Sequence, residues 1–181
     1  MTEKVKRYFL FLVGLFVMAL GIALMVKANL GISPISSPPY VFSVKFTAVS
    51  LGCFTILWNF LLILGQVAVL RRKFQWYQLI QIPLTLVFGV FVDSAKALLS
   101  FLRPESYLLQ AAVLLFGCLV LALGVSLTVL AGVVMNSGEA FVSAISQQTG
   151  REFGIIKIFL TVHLFCFLPD YPLCFSGRLS A

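Results

Sequence analysis

The sequence predicts an all-α fold: a polytopic helical membrane protein of about five spans, with two interrupted segments and an internal, inverted repeat whose second half is cut short. Three observations carry this. Of the 181 residues 61% are apolar and 10% charged, with a mean hydropathy of +1.07, against about 45–50% and about 25% in a typical soluble domain. Thirteen Lys or Arg and six Asp or Glu cannot clothe a water-soluble surface of this length. The apolar residues fall into runs near the roughly 20 residues that a helical span needs, and one of those runs recurs in mid-chain. Length sets a ceiling of five or six crossings.

The first run, residues 8–26, is uninterrupted between the basic N-terminus and Lys27. It exceeds the roughly 7–15 residues of a signal-peptide core, which favours a retained span. Residues 29–47 break the pattern with Gly31, Pro34, Pro38, Pro39 and four serines, too interrupted for a regular span; they read as a re-entrant or interfacial segment. Residues 50–70 form a second span closed by Arg71, Arg72 and Lys73. A third runs from about Trp76 to Leu98 and contains Gln81, Pro83, Asp93 and Lys96; its intramembrane proline deletes a helix hydrogen bond that neighbours must restore. After a turn at Arg103–Glu105 comes the fourth span, Tyr107–Ala131, the most purely apolar. Residues 132–152 break the pattern again, and a fifth run covers Phe153–Leu168 before Pro169.

The net charge of +7 does not indicate a nucleic-acid partner, because the basic residues sit at span ends rather than on a polar patch. That placement is what the positive-inside rule describes for cytoplasmic segments, with the lipid bilayer and its anionic headgroups as partner. The four cysteines form no C-x-x-C pair; two of them, inside apolar runs, read as buried small apolar residues. The lone His163 has no companions for a metal site. No cofactor is called for.

Residues 14–28 laid over 117–131 without gaps are identical at eight of fifteen positions, including Gly14 with Gly117 and Gly21 with Gly124. Each copy leads into a polar interrupted stretch and then a Gly-led apolar run, the mark of a duplication. The chain is thus a single membrane domain, with repeat one over 8–100, repeat two over 107–168 and an irregular tail over 169–181. If 29–47 does not cross, three spans precede the second copy and the repeat is inverted. A crossing would make it parallel and put Arg71–Lys73 outside, against the positive-inside rule.

The stretch Ala28-Asn29-Leu30-Gly31-Ile32-Ser33-Pro34, the Gln81-Ile82-Pro83 run with Phe88-Gly89 and Asp93, and Asn136-Ser137-Gly138-Glu139 leading to Thr149–Gly154 and Lys157 resemble the YczE/YitT-like bacterial integral membrane proteins over about residues 6–158. The resemblance implies a multi-span fold in the bacterial cytoplasmic membrane with the N-terminus inside, and no catalytic residues. After Phe159 the pattern departs: the tail lacks a sixth span and has the character of a frameshifted or truncated end, leaving an apolar groove.

Inverted repeats with interrupted segments are how many secondary transporters build midplane sites, so one reading is a permease-like transporter of a small solute. The candidate lining residues are Asn29, Ser33, Pro34, Ser36 and Ser37 in one copy, Asn136, Ser137 and Glu139 in the other, and Gln81 and Asp93 from the third span. The blander reading makes these surface loops, with Asp93 and Lys96 pairing three residues apart. Residues 29–39 and 132–139 should face each other, because an interrupted segment must satisfy its backbone within protein or water. Glu139 has no basic residue nearer in sequence than Arg151, so it stands hydrated or finds Lys27 or Lys157. The alternative is a non-catalytic accessory or scaffold, whose glycines seven apart could pack against a partner, a homodimer included. An enzyme is disfavoured: there is no H-E-x-x-H, P-loop, G-x-G-x-x-G or Ser or Cys nucleophile with a placed His. The predicted topology puts the N-terminus, Arg71–Lys73 and 132–152 inside and Arg103–Glu105 outside. Labelling of single cysteines from outside should mark residue 104 and spare residue 72; strong labelling at residue 72 would sink the inverted arrangement.

Overall fold

The computed structural model describes residues 2–71 and 76–167. Among them there are seven α-helices and no strand: α1 (Thr2–Ala28), α2 (Ser37–Lys45), α3 (Leu51–Leu70), α4 (Gln81–Leu98), α5 (Tyr107–Ala131), α6 (Ser137–Thr149) and α7 (Phe153–Phe167). Four stretches, Val5–Ala28, Leu51–Leu70, Gln78–Leu98 and Tyr107–Ala131, are long and apolar enough to cross a membrane. The expected fifth span coincides with α7, of which 15 residues are described. At 9 and 13 residues, α2 and α6 are shorter still, so the two interrupted stretches are short helices rather than loops. The Arg72–Lys73 pair and the tail 169–181 lie outside the described residues.

The chain divides into two compact units, each built from two chain segments. The first comprises residues 1–33 and 86–135 and holds α1, α5 and most of α4. Its centre is the contact of α1 with α5. A Cβ added to Gly21 would lie 2.6 Å from the Leu121 backbone nitrogen, and one on Gly124 would lie 2.5 Å from that of Met18. At the two ends of the contact Gly14 meets Thr128 and Gly117 meets Leu24 and Met25. Every step up α1 is matched by an equal step down α5, so the helices are antiparallel. Adding the repeat offset of 103 residues converts the Gly14–Thr128 contact into Gly117–Met25, and Gly21–Leu121 into Gly124–Met18. The two copies therefore run in opposite directions about a pseudo-twofold, and the glycine spacing serves packing within the chain. Phe16 adds an edge-to-face contact with Phe91 of α4, their centroids 5.4 Å apart.

Both copies of this helix stop in the same way. Asn29 follows α1 with φ of +57°, and Gly132, its equivalent, caps α5 with φ of +60°. The left-handed conformation ends a helix, and Asn is among the few non-glycine residues that adopt it readily.

The second unit, residues 34–85 and 136–181, packs α3 against α2 and α6, and α6 against α7. The prolines read as breakers begin a helix instead. Pro34 opens a 3-10 turn, Pro34–Ser36, and Pro38 and Pro39 occupy the first turn of α2, where the missing N–H has no helical acceptor to lose. Pro83 likewise sits third in α4, behind a 3-10 turn at Trp76–Ile80. The mid-span hydrogen-bond gap expected there does not arise, because N–H groups of a first turn have no intrahelical partner. Gly65 gives α3 a flat place for the Phe141 ring of α6, which would stand 2.7 Å from any Cβ added there.

Helix α1 contains the apolar run 8–26 and extends ahead of it to Thr2, with Glu3 and Lys6 3.5 Å apart in that extension. One other expectation is corrected. Cys53 and Cys118 are exposed rather than buried, because an apolar run in a membrane helix has a face for lipid as well as one for protein. The same holds for α5 as a whole, 17% buried over its apolar window against 56% for α1.

Replacing Gly21 or Gly124 with Ala should lower stability by about 1–3 kcal/mol, since the neighbour is backbone and cannot step aside. Gly154→Ala, with nothing within 4 Å among the described residues, should stay within about 0.5 kcal/mol. Thermal unfolding in detergent compares them; equal losses in all three would show that the α1–α5 approach is not a tight constraint.

Candidate functional site

The second unit holds a cluster of uncharged polar side chains inside apolar helices. Asn59 and Gln66 stand two turns apart on the buried stripe of α3 that also carries Leu51, Thr55, Leu62, Ile63 and Leu70. Opposite them is the start of α6. Ser50 opens α3 by accepting from the Cys53 N–H at 3.1 Å, and Asn136 opens α6 by accepting from the Ser137 N–H at 2.9 Å, which fixes where Ser137 points. The Ser137 hydroxyl donates to Asn59 Oδ1 at 2.7 Å. Gln66 Nε2 donates to the Ser137 carbonyl at 3.0 Å and, at 3.4 Å, to Oε1 of Gln81 in the first turn of α4. All four residues are at least nine-tenths buried, Gln66 at 1% exposure.

Glu139 lies in the first turn of α6, where a carboxylate suits the helix dipole. Its Oε1 is 3.7 Å from Lys157 Nζ of α7, with the carboxylate side chain 18% and the lysine 45% exposed. The ammonium is also 5.7 Å from the centroid of the Phe153 ring. Of the two partners the sequence offered Glu139, this is Lys157. Beside the same helix start, Ile35 touches Gly138, its equivalent in the repeat, at 3.0 Å from a Cβ position. The interrupted stretches thus meet at residues 35 and 138.

The candidates drawn from the sequence separate accordingly. Gln81 and Ser137 are hydrogen-bonded members of the cluster, Asn136 positions it, and Glu139 is ion-paired two residues further on. Pro34 and Ser36 flank Ile35 and are half-buried, while Ser37 is buried and donates to the Pro34 carbonyl at 2.8 Å. Asn29, Ser33 and Asp93 belong to the first unit, where Asn29 is an exposed helix terminator and Ser33 and Asp93 are half-buried. Asn59 and Gln66 were missed. The signal available was a pair of amides seven apart in an otherwise apolar span, since polar side chains in such spans turn toward protein. Among the described residues no three His, Cys, Asp or Glu side chains are grouped to hold a metal ion.

An all-α chain with four membrane-length helices and a buried amide and hydroxyl cluster defines a class of helical membrane protein. The chain belongs to a family of unknown function (DUF6198), whose model matches residues 5–179 and so takes in the stretch beyond Phe159. No curated protein and no solved structure matches it.

Asn59→Leu and Ser137→Ala should each destabilise the chain, and the double variant should lose less than their sum. A double-mutant cycle in detergent or bicelles should read a coupling of about 0.5–1.5 kcal/mol, the range for hydrogen bonds between membrane helices. Strict additivity would mean that the 2.7 Å bond contributes nothing.

Proposed function

We propose that the chain is a permease-like transporter of a small solute, acting in the bacterial cytoplasmic membrane with its N-terminus inside. The observation that carries this is the joining of Asn59, Gln66, Gln81 and Ser137 at the place where the second copy of the repeat is interrupted. Polar side chains held within apolar helices are costly to keep, and in membrane proteins they mark solute and ion pathways. Helices broken at equivalent places of an inverted repeat are the usual frame for such a site. The antiparallel α1–α5 contact supports the inversion. It also occupies the glycine faces that the accessory reading would have offered to a partner.

Uptake into proteoliposomes, measured against a panel of amino acids, sugars, amides, polyols and inorganic ions, tests the proposal. At least one solute should accumulate above protein-free vesicles. Glu139→Gln should abolish coupled uptake yet leave the fold intact, because Gln keeps the shape and most of the hydrogen-bonding capacity, and losing the partly exposed Lys157 pair should cost about 1 kcal/mol or less. Uptake of nothing in the panel by well-folded protein would hand the case to the accessory reading.

A further inference from the structure

The lengths of α2 and α6 do not say how deep in a membrane they lie, but their contacts with α3 do. Helix α3, Leu51–Leu70, is long and apolar enough to cross. Its two ends therefore mark the two faces, and each residue along it marks a depth, about 1.5 Å from the next. Near its start Phe54 stacks on Phe42, centroids 6.0 Å apart, and meets Phe46 at 6.4 Å. Further along, Asn59 and Gln66 hold Ser137, the first residue of α6, at a level between about 12 and 22 Å on a helix of about 30 Å. Phe141, one turn into α6, lies on Gly65, past the midpoint of α3. Ile35 touches Gly138, so the turn that opens α2 stands level with the first residues of α6. From that shared level α2 runs back to the start of α3, to which residues 46–50 join it, and α6 runs on toward Leu70. Equivalent segments of an inverted repeat should run in opposite directions, and these do.

Burial and polarity follow the same gradient. At the two starts Ser37, Pro38, Pro39, Ser137 and Gly138 are buried, whereas Lys45 and Phe46 at the end of α2 and residues 147–152 at the end of α6 are exposed. A helix that starts away from water must dispose of its first-turn N–H groups within the protein. Pro38 and Pro39 have none to satisfy, and Asn136 takes the N–H of Ser137. The far ends carry Lys45, Gln147, Gln148 and Arg151, side chains that suit headgroups and water.

We infer that α2 and α6 are half-membrane helices that enter from opposite faces and abut, start to start, beside the middle of α3, so that two short segments together make one broken crossing. The polar cluster then lies within the hydrocarbon layer and not at a surface, whether or not the chain carries a solute.

The test uses cysteine variants of the full chain with its native cysteines replaced by alanine. A membrane-impermeant maleimide should mark one of Phe46→Cys and Thr149→Cys in intact spheroplasts, and the other at least tenfold more strongly once the membrane is opened. Both marked or both spared in intact spheroplasts would put the two ends on one face and overturn the inference, as would an end still unmarked after opening. In the double variant Ile35→Cys with Gly138→Cys, mild oxidation should consume the free thiols within one chain, since the side chain of one residue reaches the Cβ position of the other. Ends on opposite faces and starts joined together can both hold only if the junction lies between the faces; thiols that stay free in folded protein overturn it. Where Gly138→Cys fails to fold, spin labels decide at Met135, two residues before α6, and at Leu61 in mid-α3, both exposed. Their collision rate with oxygen relative to a nickel chelate should be severalfold higher than at Phe46 and Thr149. A ratio at Met135 equal to that at Thr149 would lay α6 along a surface and overturn the inference.

Discussion

Backbone touches backbone where α1 crosses α5, and the first unit is organised around that approach. In lipid there is no gain from hiding apolar surface, so helices are held by close packing. Packing is closest where side chains are missing. Gly14, Gly21, Gly117 and Gly124 supply four such places, and a methyl group at Gly21 or Gly124 would fall inside the contact radius of the facing main chain. The contact is self-complementary: each glycine meets in the other helix the surroundings that its own copy presents in return. The duplication is therefore a packing solution as well as a history, since one glycine-faced sequence supplies both sides of the joint.

Symmetry of that kind makes a frame and does not by itself make a site. The polar residues that matter are where the copies differ. Aligned on their Gly-led starts, Leu51-Gly52 and Phe153-Gly154, α3 and α7 set Thr161 against Asn59, so that carboxamide has no copy in α7. Conversely, the Glu139–Lys157 pair has no charged counterpart in the first copy, where α2 and α3 are joined by the Phe42–Phe54 stack, with centroids 6.0 Å apart, and by Phe46. One copy contributes amides along a long helix, the other a capped short helix whose first serine those amides grip. Chemistry enters the unit through the departures from the repeat.

Much of the frame was legible in the residues. The fourth span reads Tyr107–Ala131 from its apolar run and ends there, because Gly132 takes the left-handed turn that closes it. Span α4 ends at Leu98 as read. The site was legible in part. Ser137 and Gln81 stand out by composition, the first in a polar break and the second at the mouth of a span. Asn59 and Gln66 do not, since in a run this apolar a polar residue carries no periodic signature and its face emerges only with the partner helix. Asn29, read as a lining residue, also has a conformational part, since its left-handed φ ends α1. Apolarity misleads about burial: α5 carries no charged residue and largely faces outward, whereas the glycine-bearing face of α1 is buried with Met18, Ala19, Ile22 and Ala23. Hydropathy measures compatibility with lipid, and in a membrane that compatibility is shared by both sides of a helix.

The order in which the chain is made gives the α1–α5 joint a further meaning. Helix α1 is complete at residue 28 and its partner at residue 131, and at synthesis rates of about 5–20 residues per second the first waits roughly 5–20 s for the second. Throughout that interval its glycine groove lacks the α5 face that fits it. The newborn chain thus passes through a stage in which its tightest contact is absent while α3 and α4 are already emerging. Assembly of the first unit is governed by a late arrival, since its central joint closes only once α5 has been made.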